Sequence, residues 1–186
     1  RNASSSMKVQ NDKFLNFNLQ SDFIGYKNNE IKTEVIAIFD EGIVLRETPF
    51  YANSGGQVSD KGTINNVKVI DVKKLPNKQH LHIIDTKTFS IGSRVVAKID
   101  AKNRAEITKN HTATHILHQA LKDVLGKHVN QQGSQVNNRA LRFDFNHYEN
   151  LTDKEILKVE QIVKNKINDN LDVVIKEMSL SDAKKL

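Results

Sequence analysis

The chain changes character within residues 94–125, which read RVVAKIDAKNRAEITKNHTATHILHQALKDVL. Residues 94–99 have the composition and length of a short β-strand. From Ala101 to Leu125 the chain contains neither glycine nor proline, and apolar residues recur at helical spacing. We therefore predict a strand over 94–99, followed by a long helix that Gly126 ends.

Short apolar and β-branched segments precede this transition and predict a series of strands. They are Thr33 to Phe39, Ile43 to Glu47, Thr63 to Ile64, Val67 to Val72 and Leu81 to Ile84. The residues between the first two segments, Asp-Glu-Gly, are typical of a hairpin turn. Strands this short, with turn residues at near-regular spacing, favour a small β-barrel over residues 23–100. Residues 1–22 are polar and rich in Asn and Ser, which is typical of a linker.

Residues 101–186 combine helices with further strands, so we predict the α+β class for the chain, with helices packed on an antiparallel sheet. Two β-like stretches cover 128–136 and 139–145. A capping box over 152–155 opens a second helix, whose apolar stripe is Ile156, Val159, Ile162, Val163 and Ile167. The pattern ends with a strand over Leu171 to Ile175 and a helix capped by Ser179 or Ser181.

Composition and charge limit the class of protein. The chain has 186 residues, of which 38% are hydrophobic and 27% are charged, so it is long enough to bury a core. No apolar run approaches the roughly 20 residues of a membrane span, and the absence of cysteine excludes disulfides and thiolate metal ligands within the chain. We expect a cytoplasmic setting. The net charge of +6 favours a polyanionic partner such as nucleic acid, although a lysine-rich solvated surface explains it equally well.

The sharpest chemical motif is the pair His111 and His115 on the predicted helix. Residues four apart lie on one face of a helix, so the two imidazoles can reach one metal ion. The residues between them are Thr-Ala-Thr, so the motif lacks the glutamate of the metalloprotease pattern and would act through metal-bound water. Two histidines on a helix surface are the competing interpretation, because this spacing is frequent by chance. His118, three residues past His115, has two interpretations: a third metal ligand, or a polar neighbour packed against the helix. We favour the second.

Two loop motifs are weaker signals. The adjacent glycines Gly55 and Gly56 let the backbone approach a ligand closely and offer N–H groups to an anion. Gln131 follows the histidine helix and could point an amide at a substrate. Taken alone, the first motif is more often a turn and the second a loop.

Four blocks, in this order, resemble the editing region of the alanyl-tRNA synthetase family. They are residues 48–62 (TPFYANSGGQVSDKG), 110–118 (NHTATHILH), 128–134 (HVNQQGS) and 141–145 (LRFDF). Residues 4–10 also resemble the segment that enters this region, so the resemblance covers nearly the whole chain. It implies a β-barrel with a glycine-rich motif, followed by the N-terminal part of an α+β zinc-binding editing domain.

The resemblance implies hydrolysis of the ester of tRNA(Ala) that is wrongly charged with serine or glycine. His111 and His115 match the first two zinc ligands of the family. Thr114 matches a residue that helps to recognise the serine hydroxyl, and Gln131 matches a polar residue that lines the pocket. The family motif implicated in placing the tRNA acceptor end is matched by Ser54, Gly55, Gly56 and Gln57.

One departure from the family concerns the metal. The remaining zinc ligands of the family belong to a Cys-x-x-x-His motif further along, whereas this chain has no cysteine and ends at Leu186. We therefore expect a truncated domain and an incomplete Zn²⁺ site with weak affinity, because zinc sites use at least three protein ligands. The chain by itself should be weakly active or inactive.

Two alternatives remain open at this point. The chain could be a module that binds a tRNA acceptor stem without chemistry of its own, or a free-standing deacylase of the same superfamily. The polar stretch upstream of the barrel disfavours the second. Under the editing hypothesis the partners are the acceptor end of tRNA(Ala) and the remainder of the synthetase in the same chain, to which ATP binding and aminoacylation belong.

Overall fold

The structure is a computed structural model that describes residues 13–174 and 178–183. The strands in chain order are β1 (Asp22–Phe23), β2 (Glu30–Phe39), β3 (Gly42–Leu45), β4 (Glu47–Thr48), β5 (Gly62–Ile64), β6 (Val67–Val69), β7 (Asp71–Lys74), β8 (His80–Ile83), β9 (Arg94–Ile99), β10 (Gln131–Val136) and β11 (Leu141–Phe145). The helices with described bounds are α1 (Ala101–Leu125), α2 (Asp153–Asn168) and α3 (Leu180–Ala183). The combination confirms the α+β class.

Seven strands form one antiparallel sheet in the order β6-β5-β9-β2-β3-β8-β7. The edge strands β6 and β7 are separated in the chain by Ile70 alone, so the sheet curls until its two edges meet there. The result is the predicted barrel, nearly closed. The single strand predicted over Val67 to Val72 is wrong at this corner, because the chain crosses from one edge of the sheet to the other, with Ile70 N–H donating to Ile83 O at 2.9 Å.

Alternate residues of the strands fill the barrel interior. In β9, Val95, Ala97 and Ile99 are buried, whereas Arg94 and Lys98 are exposed, as the two-residue period of a strand requires. The large buried side chains around them include Ile43, Leu45, Phe50, Ile64 and Val72. The barrel is therefore a packed scaffold.

A second apolar cluster covers the outer face of β2, β3 and β8. Phe14 and Phe17 lie against Phe39, with ring centroids 5.0 and 5.5 Å apart. Because β3 is covered on both faces, all four of its residues are buried. Phe14 and Phe17 belong to the segment predicted as a linker, of which residues 1–12 lie outside the described part of the chain.

Helix α1 begins and ends at the predicted residues. Its N-cap is Asp100, whose carboxylate accepts a hydrogen bond from Asn103 N at 2.9 Å. At the other end, Gly126 N–H donates to Lys122 O at 2.9 Å, with a φ of 117° that favours glycine. Since β9 ends at Ile99, a single residue joins the barrel to the helix. This short connection restricts how α1 can be oriented on the barrel.

The second half of the chain packs helices on a two-stranded antiparallel sheet, as predicted. The buried core shared by these elements is Ala120, Leu121, Val129 and Val159. The capping box of α2 is present: the Thr152 hydroxyl accepts from Glu155 N at 3.3 Å, and the Glu155 carboxylate accepts from Thr152 N at 2.8 Å. Both predicted features are confirmed.

The two strands of this sheet are shorter than predicted. Strand β10 begins at Gln131, three residues late, because the His128 carbonyl accepts side-chain hydrogen bonds from Asn130 and Asn146 at 3.0 and 2.9 Å. Strand β11 begins two residues late, because Asn137 Oδ1 accepts hydrogen bonds from two backbone N–H groups of the preceding turn. Side-chain caps thus replace strand pairing at these ends.

Two features near the C-terminal part differ from the predictions: the apolar stripe of α2 is only partly buried, and residues 171–174 are not a strand. Ile156 and Ile167 of the predicted stripe are 42% and 55% exposed, because the core beneath α2 contacts only the middle of the stripe. Residues 171–174 form no strand, since they pair with none of the strands in the described residues. Ile175, the last residue of that prediction, lies outside the described part.

Helix α3 starts after Ser179, whose hydroxyl accepts a hydrogen bond from Asp182 N at 3.2 Å. This confirms Ser179 as the cap, and residues 184–186 of the predicted helix lie outside the described part. Within residues 13–174 and 178–183, none of the helices has the length and apolar character needed to cross a membrane.

Candidate functional site

The two histidines of the motif lie one turn apart on α1 and face the same cavity. The ring centroids of His111 and His115 are 5.2 Å apart, and the ring planes are within 16° of parallel. Their spacing of four predicted a shared helix face, and the stacking confirms it.

The cavity has a volume of about 340 Å³ and lies where the barrel meets α1. Barrel residues and one helix face form most of its wall. The lining residues are Tyr26, Tyr51, Gln57, Arg104, Thr108, His111, Thr112, His115 and Val173. The cavity therefore brings the histidine pair together with a residue of the glycine-rich motif.

The glycine-rich motif forms a tight turn. Ser54 and Gln57 exchange backbone hydrogen bonds at 3.2 and 3.0 Å, with the two glycines between them. Gly55 and Gly56 have φ values of 58° and 80°, a combination that glycine adopts without strain. Positive φ at both positions explains why this turn contains two glycines.

This turn is docked on strand β10. Val136 N–H donates to Gly56 O at 2.8 Å, and Val58 N–H donates to Val136 O at 3.0 Å. A Cβ at Gly56 would lie against Ser134 Oγ and 2.6 Å from Ser134 O, so a side chain does not fit. The turn is thus held between the barrel and the second half of the chain.

Gln57 extends from this turn to the helix. Its Oε1 lies 2.6 Å from Nδ1 of His111, across 54 residues of sequence. Gln57 is 6% exposed, so its amide has few positions open to it. This contact connects the glycine-rich motif directly to the histidine pair, which separate predictions for the two motifs did not anticipate.

An arginine fixes α1 on the barrel two turns before His111. Arg104 donates from Nε to Asp60 Oδ1 at 2.8 Å, and Nη2 contacts the other carboxylate oxygen. It also donates to the carbonyls of Gly25 and Pro49 at 2.8 and 2.9 Å. Asp60 is 1% exposed, and its carboxylate also accepts a hydrogen bond from Tyr51 N at 2.7 Å, so protein groups replace its hydration. No motif singled out Arg104; the only sequence signal is that Asp60 lies inside the block 48–62.

The cavity shifts the pKa values of two groups that line it, His111 and Tyr51. Burial lowers the pKa of His111, and the adjacent His115 lowers it further by charge repulsion. Burial also raises the pKa of Tyr51, whose hydroxyl donates to Ser54 O at 3.3 Å. His111 is thus biased towards neutral imidazole, the form that binds metal ions.

Thr114 and Gln131, which the resemblance places at the catalytic site, are not among the residues that line this cavity. Thr114 is buried, and its hydroxyl donates to Asn110 O at 2.8 Å. Gln131 is exposed at the start of β10, where its amide donates to Ser134 Oγ at 3.0 Å, close to the glycine turn. Their roles stay predictions. Thr112 also lines the cavity, and no motif had singled it out.

His118 packs on the other half of the molecule. Its ring centroid is 5.0 Å from that of Phe143 on β11, and its Nε2 is buried with no hydrogen-bond partner among the described residues. This placement agrees with a packed neighbour of the helix and not with a third ligand beside His115.

The donor set at the cavity suits zinc, because neutral imidazoles are common zinc ligands. Residues 13–174 and 178–183 contain no group of three or more His, Cys, Asp or Glu side chains arranged to hold a metal ion. Further ligands would therefore have to come from elsewhere. Zn²⁺ at His111 and His115 stays a prediction.

A second cavity, of about 380 Å³, lies between the barrel, α1 and the β10–β11 turn. Among the described residues, those that line it include no Asp or Glu. Its polar lining residues are Ser59, Lys61, Asn103, Asn137, Asn138 and Arg139. Cations and amides of this kind suit a phosphate group.

Comparison with known proteins identifies relatives over the whole chain. The family model described as tRNA synthetases class II (A) matches residues 1–103. An alanine–tRNA ligase of Acholeplasma laidlawii is 52% identical over 186 residues, which are all of this chain and 22% of that protein. That of Listeria welshimeri is 44% identical over 97% of this chain and 23% of its own length. That of Aster yellows witches'-broom phytoplasma is 46% identical over 98% of this chain and 21% of its own length. The chain thus spans about a fifth of these relatives.

Proposed function

The chain belongs to the class II tRNA synthetase (A) family, and from this premise we propose that it forms part of the editing region of an alanine–tRNA ligase. In this proposal the cavity at the histidine pair takes the ester of tRNA(Ala) charged with serine or glycine. The reaction is hydrolysis, which releases the amino acid and free tRNA.

One observation carries the proposal: the two motifs that resemble the editing region meet at one cavity. His111 and His115 enter it from α1, and Gln57 enters it from the glycine turn. In the sequence Gln57 and His111 are 54 residues apart. Their meeting supports one composite site better than two unrelated ones.

The chemistry follows from these residues. Ester hydrolysis needs a water that attacks the carbonyl carbon while the ribose oxygen leaves. Zinc bound at His111 and His115 would lower the pKa of such a water. The imidazole nitrogens would supply lone pairs to that ion, and the rings of Tyr26 and Tyr51 offer apolar surface on which the terminal base can stack.

A second hydrolytic site is a known solution to a selectivity limit. A pocket made for alanine cannot strongly exclude glycine, which is smaller, or serine, which adds one hydroxyl. Hydrolysis after mischarging raises the fidelity beyond what binding provides. The remainder of the protein would supply ATP-dependent aminoacylation, and the acceptor end of tRNA(Ala) would be the shared partner.

Deacylation tests this proposal. We expect His111→Ala combined with His115→Ala in the full-length protein to slow the hydrolysis of Ser-tRNA(Ala) by about 100-fold or more, since the metal-bound water is lost. Aminoacylation with alanine should be retained. Single-turnover assays with Ser-tRNA(Ala) and Gly-tRNA(Ala) measure both substrates.

The matched control is another stacked histidine pair. His128 and His147 have ring centroids 5.2 Å apart and a 2.9 Å contact from Nε2 to Nδ1, away from the cavity. His147→Ala, which breaks this pair without changing the block 128–134, should leave deacylation unchanged. Equal rates for His147→Ala and for the double variant at His111 and His115 would contradict the proposal.

The second cavity supports a second candidate function, in which the chain only binds the acceptor stem. Lys61 and Arg139 would contact phosphates, and each contact should make binding more sensitive to salt. Lys61→Ala with Arg139→Ala should weaken tRNA binding at 50 mM salt and reduce the salt dependence. This function alone is favoured if tRNA binds but Ser-tRNA(Ala) is not hydrolysed.

A further inference from the structure

We propose that Gln57 is a positioning residue that sets the tautomer of His111. Its side-chain carbonyl holds the imidazole proton on Nδ1, so Nε2 keeps its lone pair for a divalent metal ion such as zinc. The inference deepens the proposed function and rests on it only for the identity of the metal. Gln57 thereby has a role distinct from the placement of tRNA predicted for its motif.

The contact itself determines where the proton lies. Gln57 Oε1 is 2.6 Å from His111 Nδ1. A carbonyl oxygen can only accept a hydrogen bond, so Nδ1 must donate. A neutral imidazole has one N–H group, and Nε2 is therefore unprotonated.

The acceptor is fixed before any metal binds. Gln57 is 6% exposed, and its backbone exchanges two hydrogen bonds with Ser54 across the glycine turn. Gly56 lies against Ser134, so the turn cannot move towards β10. The side-chain carbonyl is consequently presented to α1 by a constrained turn.

The orientation of His111 also affects its neighbour. The His115 ring stacks on that of His111 with an interplanar angle of 16°. A hydrogen bond that fixes the plane of the first ring therefore restricts the second. Carbonyl and carboxylate partners of metal-binding histidines act in this manner, and their loss lowers metal affinity.

Nitrogen-15 NMR of the metal-free protein, labelled at histidine, reads the tautomer directly. We expect His111 in the wild type to carry its proton on Nδ1. In Gln57→Met the acceptor is lost, and His111 should shift towards the Nε2–H form that free histidine favours. Gln57→Glu restores an acceptor oxygen and should restore the Nδ1–H form.

The matched control is Gln79→Met. Gln79 is also buried in the barrel, but its amide donates to the carbonyls of Phe17 and Leu19. This variant should leave the His111 tautomer unchanged. A wild-type His111 with its proton on Nε2 would overturn the proposal, as would a Gln57→Met spectrum identical to that of the wild type.

Zinc affinity provides the second readout. In the full-length protein, Gln57→Met should raise the dissociation constant for zinc by about 10-fold or more, and Gln57→Glu should not. Competition with a chelator measures it. Unchanged affinity in Gln57→Met overturns the proposal. The tautomer is measured without metal or substrate, so a failure of the deacylation test leaves this result independent.

Discussion

His82 in the barrel and His111 on the helix both place Nδ1 against a carbonyl oxygen, but they differ in what their Nε2 contacts. His82 Nδ1 lies 3.1 Å from the carbonyl of Ile43, and its Nε2 lies 2.7 Å from the Thr48 hydroxyl. His111 Nδ1 lies 2.6 Å from the side-chain carbonyl of Gln57, and the described residues offer its Nε2 no hydrogen bond. Both nitrogens of His82 are occupied, whereas His111 keeps one free.

The two rings also differ in burial, since His82 is enclosed in the barrel and His111 faces a cavity. His82 is fully buried, and burial lowers its pKa to about 3. Its neighbour on β8, His80, has a pKa lowered to about 4, again mainly by burial. His111 lines an open cavity beside a second histidine. A histidine with both nitrogens occupied contributes to stability, and one with a free nitrogen at a cavity is available for chemistry.

The largest effect is expected at the link between these regions. Arg104→Met removes the cationic partner of Asp60, which is 1% exposed, and should lower the free energy of unfolding by about 3 kcal/mol or more, because only the Tyr51 N–H then remains to offset a buried charge. The same change frees α1 from the barrel and should slow deacylation. Arg46→Met breaks an exposed pair with Glu34 and should cost less than about 1 kcal/mol. Equal urea midpoints for the two variants would refute this assignment.

Replacing His82 and His111 by leucine, one at a time, tests whether the first serves stability and the second serves chemistry. His82→Leu leaves the Thr48 hydroxyl without one of its partners, which should cost about 2 kcal/mol of unfolding free energy and leave deacylation intact. His111→Leu should abolish deacylation and lower the unfolding free energy by only about 1 kcal/mol, since the Gln57 carbonyl that loses its hydrogen bond lies beside an open cavity. Denaturant unfolding and deacylation, measured on both variants, give a two-by-two result. A loss of both properties in both variants would erase the distinction.

The pH dependence of stability is the third test. His80 and His82 have folded pKa values below their usual value, so between about pH 4 and 6.5 the unfolded chain binds more protons than the folded one. Their contribution is constant above pH 6.5, and stability falls as the pH decreases, by about 1.4 kcal/mol per pH unit for each fully linked group. Unfolding between pH 7 and 5 measures this slope. His82→Leu should reduce it, and an unchanged slope would count against a neutral buried His82.

The smallest effect is expected away from both histidines. Thr152→Ala removes the cap of α2, and it should lower the free energy of unfolding by about 1 kcal/mol. Deacylation should not change, because α2 contributes no residue to the cavity. A slower deacylation would show that the site extends to α2.

Local sequence patterns were sufficient to predict most of the helices and strands. The 101–125 helix, the barrel strands and the capping box follow from periodicity, turn residues and spacing within a few positions of the chain. The misplaced elements have a tertiary cause. Ile70 lies at the corner where the sheet closes, and residues 171–174 pair with none of the described strands. Neither fact is visible in a window of ten residues.

The composite site could be predicted only in parts. His111 and His115 follow from helical spacing, and Gly55 and Gly56 follow from turn chemistry. The contact of Gln57 with His111 spans 54 residues and leaves no periodic trace. The Arg104–Asp60 pair spans 44 residues and is hidden for the same reason. The resemblance to a family indicated that the glycine motif and the histidine pair serve one function. Only the folded structure shows that Gln57 contacts His111.

The glycine turn has a further consequence, because it carries both the backbone proposed to contact RNA and the side chain proposed to orient a metal ligand. Gln57 belongs to the turn and touches His111, so a displacement of the turn changes the imidazole contact. Binding equilibria linked through a shared element are reciprocal. An RNA end that favours one position of the turn would therefore alter zinc affinity by a given factor, and zinc would alter the affinity for that RNA end by the same factor.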